Sequence, residues 1–240
     1  MKSMERFYRK IDDIRLYSIN SPIFRFRLEE FIQILRRYQG LFGKKALDVG
    51  CGGGISTFAL EKLGLNVLGI DIQEDMIKYA KEAAKILNSK AKFMIVDAKK
   101  FEAEEKFDSI FLLGNVIAHI DIKDFKEIIQ RLKNYLQRNG VLVLHYFDVI
   151  SEIWNQEFFV KSPQMAGKDV LFTYDSHEGS INITIIEKKL RDDLYEAERF
   201  KLYIWTPWIL DYILENLGFT NIVRDYLPRN AYLDIYRKLF

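Results

Sequence analysis

Three carboxylates, Asp48, Asp71 and Asp97, each stand at or next to the end of a short apolar run, and a glycine-rich turn follows the first of them. That stretch reads Ala46-Leu47-Asp48-Val49-Gly50-Cys51-Gly52-Gly53-Gly54, with a helical pattern beginning at Ile55. Glycine permits positive φ and carries no Cβ, so Gly50 and Gly52 let a ligand approach the backbone and the amino end of the helix. Asp71 is placed to accept hydrogen bonds from the two hydroxyls of a ribose. Asp97 suits an adenine amino group, with the backbone of Ala98 at the ring edge and Ile72 and Met76 as apolar surface for its faces. Cys51 contributes backbone to the same turn, and nothing near it in sequence marks its thiol as a nucleophile.

A nicotinamide dinucleotide also uses a glycine turn followed by an acid. Two residues separate the alternatives. The dinucleotide fingerprint G-x-G-x-x-G requires glycine where Ile55 stands. Asp48 is a poor neighbour for pyrophosphate and a good one for a cationic methionyl group. The pattern therefore favours an adenosyl ligand with a positive arm, and Leu113-Gly114-Asn115, closing a fourth apolar run, would lie beside that arm. An NAD-dependent oxidoreductase is the alternative enzyme. A non-catalytic module that holds an adenosyl ligand is the alternative without chemistry.

The elements that position these residues follow a βα cadence between residues 45 and 145, as expected of an α/β, Rossmann-like parallel sheet. Predicted strands cover Lys45–Val49, 66–70, 92–96, 108–113 and 140–145. Met76, Ile77, Ala80, Ala83, Ala84 and Leu87 recur at helical spacing. A second helix is predicted over 124–136, ended by Asn139-Gly140. The chain reads as one domain in four parts: a helical, aromatic-rich lid (1–40) broken near Asn20-Ser21-Pro22, a cofactor-binding core (41–150), an inserted cap (151–205), and a closing helix and strand pair (206–240). The cap holds an antiparallel hairpin, 180–190 with 194–204, turning at Arg191-Asp192-Asp193. The closing helix starts at Thr206-Pro207 and stops near Leu217-Gly218, before strands Phe219–Leu227 and 231–239.

Composition bounds the partners. The 240 residues are 49% hydrophobic, enough for a full core, and 36 basic against 34 acidic residues leave a net charge of only +2. That field gives no strong nucleic-acid signal. A single cysteine excludes an internal disulfide framework, the absence of a Cys/His cluster argues against a metal, and both suit a reducing cytoplasm. No stretch approaches the roughly 18 apolar residues of a membrane span, and the first residues lack the apolar core of a signal peptide.

With DVGCGGG, Asp71 and Asp97-Ala98 in this order, the chain resembles the class I S-adenosylmethionine-dependent methyltransferases, over about residues 40–150 plus the closing helix and strand pair. The resemblance implies a doubly wound, mostly parallel seven-stranded sheet with a C-terminal antiparallel strand, and S-adenosylmethionine as cofactor. It also implies a cation over the cofactor carboxylate, for which Arg25 is favoured over Arg27. Leu113-Gly114-Asn115 with His119, and His145-Tyr146-Phe147-Asp148, are similar to segments of glycine and sarcosine N-methyltransferases. Catalytic residues stay open, because a sulfonium methyl is already activated and alignment supplies much of the rate. The D/N/S-P-P-aromatic sequence of DNA amino-methyltransferases is absent, with no proline between Pro22 and Pro163. A small-molecule acceptor is expected, in a pocket for which Tyr8, Tyr17, Tyr174, Trp205 and Trp208 are candidates.

Overall fold

The computed structural model describes residues 19–148, 150, 169–188, 195–228 and 230–240. Its main sheet has seven strands: β1 (Lys45–Val49), β2 (Asn66–Asp71), β3 (Lys92–Ile95), β4 (Phe107–Leu112), β5 (Leu136–Phe147), β9 (Phe219–Leu227) and β10 (Ala231–Lys238). Their spatial order is β3-β2-β1-β4-β5-β10-β9. β1 pairs in parallel with both β2 and β4, so the winding reverses direction beside β1. β10 lies antiparallel between β5 and β9. This is the Rossmann-like arrangement expected from the sequence.

Strands buried on both faces read as continuous apolar runs, and β4 and β5 do so: Ile110, Phe111 and Leu112 face Leu142, Val143 and Leu144 in register. On one side of the sheet lie α1 (Pro22–Arg36), α2 (Ile55–Lys62) and α3 (Glu74–Leu87); on the other lie α4 (Ile122–Lys133) and α5 (Pro207–Asn216). Phe125, Ile128, Ile129 and Leu132 form the buried stripe of α4, whose amino end is capped by Asp121 accepting from the Asp124 amide at 2.8 Å. Each such side chain contributes about 1.5–3 kcal/mol on full burial.

Asn20-Ser21-Pro22 proves to be a helix start. Ser21 accepts from the Ile23 amide and Pro22 takes the first helical position of α1. Phe24, Leu28, Phe31, Ile32 and Leu35 on this helix join the core with Ala46, Phe58 and Val143, so α1 is a core layer of the main sheet. The remainder of the expected lid, with Tyr8 and Tyr17, lies outside the described residues.

Two boundaries differ from expectation. α4 ends at Lys133, and Leu136 already belongs to β5. Asn139-Gly140 does not stop the helix; it forms a bulge within β5, where the register jumps from Phe107↔Leu136 to Ser109↔Val141. Asn139 adopts a φ of 63°. A Cβ on Gly140 would sit 2.8 Å from the Asp108 carbonyl oxygen. The same residue types serve a helix end or a bulge, and the neighbouring strand decides which.

The expected hairpin is part of a separate three-stranded antiparallel sheet, β6 (Asp169–Asp175), β7 (Ser180–Lys188) and β8 (Tyr195–Tyr203). β7 and β8 pair from Ser180↔Tyr203 to Lys188↔Tyr195, while Arg191, Asp192 and Asp193 lie outside the described residues. Trp205, just after β8, donates from Nε1 to the Ile117 carbonyl at 2.7 Å and packs on Phe125 with ring centroids 4.6 Å apart. It ties the end of this sheet to the turn that follows β4.

Candidate nucleoside site

In a doubly wound sheet the expected place for a ligand is outside the carboxyl ends of the strands where the winding reverses, here β1 and its neighbour β4. Gly50, Gly52 and Gly54 line the turn from β1 into α2 with φ of 70°, 51° and 89°. Gly50 and Cys51 both donate to the Ile70 carbonyl, at 2.8 and 3.0 Å, which pins the turn to β2. Glycine is required at Gly50 for fit, since a Cβ there would meet Val116 at 2.7 Å. At Gly52 a Cβ would meet nothing within 4 Å. Its left-handed backbone therefore borders open space.

Asp71 stands across this opening. Its Oδ2 accepts from the Gly52 amide at 2.8 Å and its Oδ1 from the Gln73 amide at 2.9 Å. Each carboxylate oxygen has a further lone pair, so the acid braces the turn and still has acceptor capacity toward the opening. Burial pushes its pKa up, opposed by the amides of Gln73 and Gly52.

Asp48 is only 1% exposed. Its Oδ2 accepts from Ser56 Oγ at 2.6 Å and Thr57 Oγ1 at 2.7 Å, from the first turn of α2. Its Oδ1 is buried without a hydrogen-bond partner, a costly state for a carboxylate oxygen. Burial, with a contribution from Asp71, pushes its pKa up to about 6 against the lowering effect of the two hydroxyls. Two carboxylates beside one turn make an environment for a cation and against pyrophosphate.

Of the other adenine-side candidates, Asp97 caps the short 3-10 turn Ala98–Lys100, its Oδ1 accepting from the Lys99 amide at 2.9 Å. Ile72 is exposed at the end of β2, whereas Met76 is buried in the packing face of α3. Ile72 is thus the accessible apolar surface of the two. Burial pushes the Cys51 thiol well up, so it stays protonated and unreactive.

Leu113 is buried, and Gly114 and Asn115 follow β4 with φ of 72° and 69°. β5 holds both: the Gly114 amide donates to His145 Nδ1 at 3.3 Å, the Asn115 amide to the His145 carbonyl at 3.0 Å, and Asn115 Oδ1 accepts from the Phe147 amide at 3.1 Å. Burial lowers the His145 pKa to about 4, so at neutral pH Nδ1 accepts and the proton sits on Nε2. His119 is likewise neutral, its pKa lowered to about 4 by burial.

Arg25 lies on the exposed side of α1. The cation of this helix that reaches toward β5 is Arg27, whose guanidinium carbon lies 6.0 Å from the Phe31 ring centroid; Phe31 packs edge-on against His145 at 5.6 Å. Alternation along a helix gave no signal for that choice; only the packing of Phe31 supplies it. The aromatic candidates divide as well: Trp205 is core, Tyr174 and Trp208 are exposed, and the stacked pair Tyr146 and Tyr232, 5.4 Å apart, was not anticipated.

The fold is a Rossmann-like domain with a glycine turn braced by Asp71 at the carboxyl ends of its parallel strands. The chain belongs to the methyltransferase domain family, whose model matches residues 42–201. It is 36% identical over 115 residues to the ubiquinone biosynthesis O-methyltransferase of Actinobacillus pleuropneumoniae serotype 7, a stretch covering 45% of this chain and 48% of that protein. The chain thus spans about half the length of the curated relatives it matches. Among solved structures, the PH0226 protein of Pyrococcus horikoshii OT3 superposes with a TM-score of 0.80 at 25% identity, covering 97% of this chain and 98% of the other. An S-adenosylmethionine-dependent methyltransferase from Clostridium acetobutylicum shares the fold with a TM-score of 0.66 at 16% identity, covering 96% and 98%.

Proposed function

We propose that this protein is an S-adenosylmethionine-dependent methyltransferase acting on a small molecule. The observation that carries the reading is Asp71, whose Oδ2 accepts from the Gly52 amide at 2.8 Å across a turn whose Gly52 face is open. The methionyl arm would run along that open face, with the charge of buried Asp48 behind the turn. Asp71 would accept from the ribose hydroxyls with the lone pairs left by Gly52 and Gln73. The unbonded oxygen of Asp97 and the Ala98 backbone would meet the adenine edge, and Ile72 one of its faces. The turn Leu113-Gly114-Asn115 would bound the far side of the methionyl arm, held there by β5.

The cofactor supplies an activated methyl group for in-line displacement by the acceptor. The protein's part is to align, to exclude water and to keep carboxylates near the cation. Net charge of +2 and the aromatic residues around β5 and β10 favour a small acceptor over nucleic acid. The first of these curated relatives matches only 45% of this chain, so its acceptor is not carried over. Among the described residues no helix is long and apolar enough to cross a membrane, and a cytoplasmic setting suits the lone cysteine.

Calorimetric titration with S-adenosylmethionine, S-adenosylhomocysteine and NADH tests the reading. Binding of both adenosyl ligands and not NADH is expected. NADH binding alone would favour the oxidoreductase, and adenosyl binding without turnover on an acceptor panel would favour a sensing module.

A further inference from the structure

His145 is only 6% exposed, and one end of its ring meets the turn that follows β4. Nδ1 accepts from the Gly114 amide at 3.3 Å, and the rings of Phe31 and Phe147 stand edge-on to the imidazole at 5.6 and 5.7 Å. These contacts fix the ring plane and the tautomer, since an accepting Nδ1 on a neutral imidazole leaves the proton on Nε2. The Nε2–H has no partner among the described residues, and unlike Asp48 Oδ1 it is not sealed from solvent. A hydrogen-bond donor is thus held in place at the carboxyl end of β5, on the side of the sheet that α1 covers.

The charge that acts on this imidazole is positive. It comes from Arg27, half-buried on α1, whose guanidinium carbon lies 6.0 Å from the Phe31 ring centroid. Among the described residues Arg27 makes no ion pair, not even with Glu30, three positions further along the same helix. A neutral donor beside an unpaired guanidinium suits an anion, and a carboxylate accepts hydrogen bonds from both. The acids of the site stand elsewhere, with Asp71 bracing the glycine turn and Asp48 buried behind it. The arm of S-adenosylmethionine ends in one ammonium and one carboxylate. The two acids repel that carboxylate, and Arg27 with His145 attracts it.

We propose that His145 is a cofactor-binding residue, its Nε2–H donating to the methionyl carboxylate beside Arg27 while its Nδ1 holds the Gly114 amide. The inference rests on the methyltransferase reading and adds a residue to its site. One ring then joins the end of the ligand's arm to the turn Gly114-Asn115 that bounds it.

The test is calorimetric titration of the full chain with S-adenosylmethionine and with decarboxylated S-adenosylmethionine, which differ in the carboxylate alone. The unmodified protein should prefer S-adenosylmethionine by about a hundredfold or more, since each of two charge-assisted contacts is worth about tenfold. His145→Asn places an oxygen where Nδ1 stands and has no donor at the Nε2 position, so the turn keeps its anchor and the preference should fall about tenfold. His145→Gln supplies a donor near the Nε2 position and loses the Nδ1 acceptor, so it should keep the preference and melt at a lower temperature. In the unmodified protein, imidazole nitrogen NMR should show the Nε2–H tautomer, with the Nε2 proton moving downfield on addition of S-adenosylmethionine and not of the decarboxylated compound. Equal affinity of the unmodified protein for both compounds, an unmoved Nε2 proton, or an unchanged preference in His145→Asn overturns the proposal and leaves the cofactor assignment standing. Equal losses of preference in the two variants would confine His145 to holding the turn and also overturn it. Binding of neither compound by the unmodified protein overturns the methyltransferase reading and the proposal together.

Discussion

The Gly52 amide donates to Asp71 Oδ2 at 2.8 Å, so the acid proposed to hold the ribose also fixes the turn proposed to carry the methionyl arm. One carboxylate thus links the glycine turn to the end of β2. Asp71→Ala should weaken S-adenosylmethionine binding about ten- to a hundredfold, the worth of charged hydrogen bonds at about 1.5–3 kcal/mol. It should also lower the melting temperature, because the Gly52 and Gln73 amides lose their acceptor. Calorimetry and a thermal melt read the two effects, and unchanged affinity would remove Asp71 from the site.

Gly52 and Gly50 should respond differently to alanine. At Gly52 the added methyl meets open space, so the cost is the left-handed backbone, about 1–2 kcal/mol. The protein should fold and lose most of its nucleoside affinity. At Gly50 the methyl collides with Val116, and the variant should lose stability well before binding can be measured. Normal cofactor binding by a folded Gly52→Ala variant would show that the methionyl arm runs elsewhere.

Asp48 gives the site a pH dependence. Its pKa in the fold, about 6, lies above the ordinary 3.8, so the fold favours the protonated acid. The associated stability is full below the ordinary value and is lost as pH rises through about 6. A cationic ligand favours the ionised acid, so S-adenosylmethionine affinity should climb as pH rises through about 6, with proton release on binding. Asp48→Asn should flatten the climb and remove the proton release. Calorimetry in buffers of different ionisation enthalpy measures both; an equal climb in the variant would assign the dependence to another group.

Trp205 is core, and its removal should not touch the nucleoside. Trp205→Phe removes the indole donor from the Ile117 carbonyl, which keeps the Ile120 amide at 3.0 Å, so the lost hydrogen bond costs about 0.5–1.5 kcal/mol. Urea unfolding should show that loss while S-adenosylhomocysteine affinity holds. A loss of affinity without a loss of stability would instead make Trp205 part of the binding surface.

The main sheet was readable because each parallel strand announces itself as an apolar run and each crossover helix as a 3.6-residue stripe. The closing elements were readable from local chemistry: Thr206-Pro207 starts α5, and Gly218, with a φ of 80°, follows its end. Asn139-Gly140 misled because its meaning depends on Asp108, a residue on the adjacent strand. The third strand β6 is defined by its antiparallel pairing with β7, a contact between chain segments that residue types alone do not specify.

The sequence by itself determined the βα order, the glycine turn and the three acids, all of which are local patterns of residue type. It could not determine that Asp71 already holds two amides, that one oxygen of Asp48 is left bare, or that Arg27 rather than Arg25 lies over Phe31 toward β5. Those facts depend on which atoms from distant segments meet. Hydrogen-bond satisfaction and burial are properties of such meetings, and only the packed tertiary structure creates them.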